Sequence, residues 1–112
     1  MTTHTTSSTA ADGLIRHVVH FKFKVDADEA QVAKVVEAFA DLKTKIPAVE
    51  SLEWGTNISA EGYDKGFLYC WILSFKSIAA RDSYLAHPAH EAFVEQLLPV
   101  LDDAVVVDFK PQ

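Results

Sequence analysis

Positive charge is scarce in this sequence of 112 residues. Ten Lys and Arg stand against sixteen Asp and Glu, a formal net charge of −6. A general nucleic-acid footprint needs clustered cations to neutralise phosphates, so no nucleic-acid partner is expected. Cysteine is nearly absent. Cys70 alone cannot close an intrachain disulfide, nothing points to an oxidising compartment, and a cytoplasmic location is expected. No apolar run approaches the roughly 20 residues that cross a bilayer, which argues against a membrane-embedded protein. Glycine and proline number only four each, too few for a collagen-like chain. What remains is 49% hydrophobic and 23% charged, the composition of a globular protein, and the length fits one domain.

Residues 1–13, MTTHTTSSTAADG, are mostly Thr, Ser and Ala. They lack the apolar stretch of a signal peptide and the Arg of a transit peptide, and are expected to form a disordered tail ahead of a domain over residues 14–112. From Ile15 onward the patterning is regular. Ile15, His17, Val19, Phe21 and Phe23 alternate with Arg16, Val18, His20, Lys22 and Lys24, the signature of a strand with two different faces. Asp26 and Glu29 resemble a helix-start box, and Val32, Val35, Val36, Phe39, Leu42 and Ile46 form one stripe of an amphipathic helix of about 18–20 residues. Pro47 stops it. Val49 to Ile58 predicts a second strand, with Gly55 a candidate bulge or kink. Phe67 to Phe75 predicts a third strand, buried on both faces.

Ser77 is a candidate N-cap for a short helix ending near Ala86. Pro88 suits the first turn of another helix, whose apolar stripe is Phe93, Leu97, Val100 and Leu101. Ala104 to Phe109 predicts the last strand. The order β-α-β-β-α-α-β is that of a ferredoxin-like α+β fold with a four-stranded antiparallel sheet. Helices then cover one sheet face only. The other, with Val18 and His20, calls for a partner, and a second copy packed sheet to sheet is the economical one.

The strand IRHVVHFKFK, the turn IPA, the pair Trp54–Gly55, the run YLAHPAH over residues 84–90 and the terminal VVDFKP together resemble the stress-responsive dimeric α/β-barrel family. The resemblance implies a homodimer and, in each protomer, a pocket between sheet and helices. In the family's polyketide cyclase pattern a histidine base and a tyrosine partner close a ring by intramolecular aldol condensation. The matching residues are His90 and Tyr84. The pocket it implies for a small apolar or aromatic ligand draws on His17, Val19, Phe21, Val36, Phe39, Leu52, Tyr69, Trp71 and Phe93, without metal or other cofactor. Tyr69 stands where that pattern has a histidine, and Trp71 where it has a small aliphatic residue, so the indole is expected to fill much of the pocket.

Chemistry fits the pair independently. A neutral imidazole can take a proton α to a carbonyl, and a phenol can donate to the oxyanion that forms. Plainer roles remain open. His90 can bond its own helix turn, Tyr84 can be core, His87 can cap a helix, and Cys70 can be an inert buried thiol. His87 and His90 at a spacing of three offer only two metal ligands. Two classes of function follow: a cyclase-like enzyme, or a stress-response homodimer that binds a ligand without catalysis. An open cavity with Tyr84 and His90 about 3–5 Å apart favours the first, and a pocket plugged by Trp71 the second.

Overall fold

The computed structural model describes residues 14–112, so the expected tail over residues 1–13 lies outside the described residues. The elements run β1 (Ile15–Phe23), α1 (Glu29–Lys45), β2 (Ser51–Thr56), β3 (Tyr69–Phe75), α2 (Ile78–Ala86), α3 (Pro88–Leu97) and β4 (Leu101–Phe109). The strands form one antiparallel sheet in the order β2-β3-β1-β4, the ferredoxin-like arrangement.

Several local choices differ from the sequence reading. The α1 cap is Asp28, whose carboxylate accepts from the Ala30 amide at 3.1 Å; Asp26 lies in the turn before it. Gly55 makes neither bulge nor kink, because the β2–β3 register runs unbroken through Gly55 and Cys70. The ladder shifts instead between Lys22 and Phe23, on β1 against β4. β4 starts at Leu101, ahead of Ala104. β3 is covered more fully on its helix side: Trp71, Leu73 and Phe75 are buried there, while on the bare face Cys70 and Ile72 stay half-buried and only Ser74 is buried.

Period two on β1 sorts the protein into two environments. Ile15, His17, Val19 and Phe21 point under the helices and are buried. They pack with Val35, Phe39 and Leu42 of α1, Tyr84 of α2, and Phe93 and Leu97 of α3. On the far face, Arg16, Val18, His20 and Lys22 share rows with Val105, Val107 and Phe109 of β4. Val107 is 54% exposed and Phe109 48%. This face leaves apolar side chains open to solvent on the side opposite a complete core.

Candidate functional site

The α2–α3 junction positions the predicted pair. Ser77 caps α2, accepting from the Ala80 amide at 3.1 Å. His87 ends α2 and starts α3: its Nδ1 accepts from the Ala89 amide at 3.0 Å, and Pro88 follows at the first helical position, where no amide is needed. His87 is thus used as a cap. The break turns the chain so that Tyr84, near the end of α2, and His90, in the first turn of α3, meet with ring centroids 4.7 Å apart, edge to face.

Both rings border an inner cavity of about 220 Å³. Of the residues predicted for the site, His17, Val19, Phe21, Phe39, Tyr84, His90 and Phe93 line it together. Val36 and Tyr69 do not. They line a separate, wider groove of about 980 Å³ between α1 and the β2 side of the sheet, beside Trp54 and Leu68. Leu52 and Trp71 line neither hollow. Leu52 pairs with Leu73 across β2 and β3, and Trp71 is completely buried, stacked on Phe39 at 4.1 Å. The indole therefore sits behind Phe39 and does not fill the pocket as expected: a space stays open at Tyr84 and His90.

The two rings carry opposite electrostatic settings. Burial pushes His90 below the ordinary histidine value, and the His17 ring adds to this; the Leu85 backbone and Glu91 pull only weakly the other way. A neutral imidazole, able to accept a proton, is the favoured state at pH 7. Tyr84 is 1% exposed, and burial raises its hydroxyl well above the ordinary phenol value. It stays protonated and can only donate or share a proton. The site therefore offers one base and one donor.

Behind the pair lies a chain of charge that the sequence reading missed. His17 Nδ1 donates to Asp108 Oδ1 at 2.6 Å, and Arg81 donates to Asp108 Oδ2 at 2.7 Å. Burial alone would raise the Asp108 carboxyl, but the hydrogen bonds from Arg81 and His17, with their charges, hold it below the usual carboxylate range. His17 in turn packs edge-on against Tyr84, centroids 5.8 Å apart. One signal existed. Asp108 is the only charge inside the apolar run from Ala104 to Phe109, and Arg81 sits one helical turn before Tyr84. Among the described residues, no three His, Cys, Asp or Glu gather as a metal site.

The stress-response A/B barrel domain-containing protein HS1 of Arabidopsis thaliana is 31% identical over 90% of this chain and 93% of its own length. Olivetolic acid cyclase of Cannabis sativa is 24% identical over 88% of this chain and 97% of its own. Among solved structures, hydroxynitrile lyase of Passiflora edulis superposes with a TM-score of 0.83 at 20% identity, covering 90% of this chain and 95% of the lyase. A dimeric ferredoxin-like protein of unknown function from Thermobifida fusca gives 0.74 at 23% identity, over 88% of this chain and 91% of that one. These two likenesses establish the fold alone. The family model for the Stress responsive A/B Barrel Domain matches residues 15–111, and with HS1 it settles the family: this chain belongs to the stress-responsive A/B barrel proteins.

Proposed function

We propose that this protein is a cyclase-like enzyme acting on a small, ring-sized carbonyl compound in the cavity between Tyr84 and His90. The observation that carries the reading is the pairing of a depressed histidine with a buried, protonated tyrosine on the wall of one open cavity. His90 takes the proton α to a carbonyl. The resulting carbanion attacks a second carbonyl of the same molecule, forming the new carbon–carbon bond. Tyr84 donates a hydrogen bond to the oxygen on which negative charge collects, and the proton held by His90 is available to return to it. The Arg81–Asp108–His17 chain fixes the ring beside Tyr84. The olivetolic acid cyclase likeness supports cyclisation as the reaction class.

The working unit we infer is a homodimer joined through the bare sheet face. The exposed Val105, Val107 and Phe109 support it, as does the dimeric description of the Thermobifida fusca neighbour. A second reading, a ligand-binding stress-response dimer without catalysis, is favoured by the cavity's size: about 220 Å³ is below the roughly 300–1,000 Å³ of ordinary small-molecule sites.

One experiment separates the two. Small polyketide lactones and thioesters are screened for binding and turnover on wild type and His90→Ala together. The enzyme reading expects turnover to fall on the order of 100-fold or more in His90→Ala, the typical share of a general base, with the dimer intact. Binding without turnover in the wild type would leave the non-catalytic reading standing, and equal turnover in the two proteins would remove His90 from the role of base.

A further inference from the structure

One row of cross-strand partners runs across the helix-facing side of the sheet: Trp54 on β2, Trp71 on β3, Val19 on β1 and Val106 on β4. Its ends face different spaces. Trp54 lines the outer groove of about 980 Å³, and Val19 and Val106 line the inner cavity of about 220 Å³. Trp71, between them, lines neither and is fully buried. Its indole stacks on Trp54 of the groove at 4.9 Å and 22°, and on Phe39 of the cavity at 4.1 Å and 18°. The indole is the middle ring of a Trp54–Trp71–Phe39 stack, and this stack forms the partition between the two hollows.

Packing alone does not account for a tryptophan at this position. The Trp71 Nε1 is buried with no hydrogen-bond partner among the described residues, an unfavourable state for a donor. An all-apolar side chain would fill part of the same space without stranding an N–H. What such a smaller residue would lose is the seal between the two hollows.

We propose that Trp71 sets the length limit of ligands for the Tyr84–His90 cavity. Single-ring compounds with at most a very short chain fit, and alkyl-tailed ones are turned away because the indole blocks the tail's path into the groove. The proposal rests on the reading of this cavity as the ligand site. It adds the class of compound admitted and the residue that excludes the rest.

The test uses the full chain and the series phenol to para-pentylphenol. Binding is read from the His90 imidazole resonance by NMR, so that occupancy of the groove alone does not register. In the wild type, affinity by this readout stops rising beyond ethylphenol. In Trp71→Leu it climbs by about fourfold per added methylene, the ordinary gain for burying one such group. A wild-type affinity that keeps climbing to pentylphenol overturns the partition, and this holds even if Trp71→Leu does not fold. A folded Trp71→Leu that gains nothing overturns it equally. No His90 response to any phenol in either protein contradicts the ligand-site reading itself, and the length limit with it.

Discussion

At the scale of single residues, environment assigns the roles that residue type leaves open. Histidine and tyrosine can each give or take a proton. Burial decides between them here by lowering His90 and raising Tyr84, so that one becomes the base and the other the donor. Asp108 is a different case, a partly buried carboxylate held ionised by two partners. Its folded-state value lies below the unfolded one of about 3.9, so its stabilising contribution is present above that pH and fades as pH falls through the depressed value. Asp108→Asn is therefore expected to lower stability near neutrality by about 1.5–3 kcal/mol, the usual range for hydrogen bonds to a charged group. The gap between denaturant melts of the two proteins should begin to close below about pH 4 and vanish once pH is below the depressed Asp108 value. A gap that persists unchanged in acid would show that the charge is not what the variant removed.

At the scale of elements, caps and periodicity do most of the positioning. The α2–α3 break depends on the two-sided His87 cap and on Pro88, while Ser77 caps the opposite end of α2. Ser77→Ala is expected to cost about 1 kcal/mol. On a domain of this size that is a fall in melting temperature of roughly 4–8 °C. Turnover per folded molecule should not change, because Ser77 sits at the far end of α2 from Tyr84. Calorimetry and an activity assay on the same preparation check both halves. This junction was legible from sequence because its signals are local: Ser77, Pro88 and the stripe from Phe93 each act within one turn. The α1 start was less legible, since Asp26 and Asp28 are both plausible caps and only the folded turn chooses between them. The burial of His17 under the helices followed from alternation on β1. Its bond to Asp108 did not, because the two residues are 91 positions apart and meet only through the β1–β4 register. Two separate hollows were equally invisible. Val36 and Phe39 lie on one helical stripe, yet Val36 borders the groove and Phe39, stacked on Trp71, borders the inner cavity.

At the scale of the whole molecule, the apolar content makes sense only as two layers. One is sealed between sheet and helices, and the other is left on the bare face by Val105, Val107 and Phe109. The proposed dimer would carry a net charge of about −12, from −6 on each protomer, so its association would have to come from the apolar face rather than from charge. Val107→Glu, which places a carboxylate in the middle of that face, is expected to yield monomers by sedimentation at micromolar concentration while far-UV circular dichroism stays native. A dimer that survives the substitution would move the interface elsewhere. The central claim, that His90 works as a neutral base in the inner cavity, is tested most directly by the pH dependence of kcat/KM for a substrate found in the screen. Because burial lowers His90, activity should rise with pH along an acid limb centred below the ordinary histidine value of about 6.5, and the residual activity of His90→Ala should lack that limb. A limb centred at or above that value, or one that persists unchanged in His90→Ala, would contradict it.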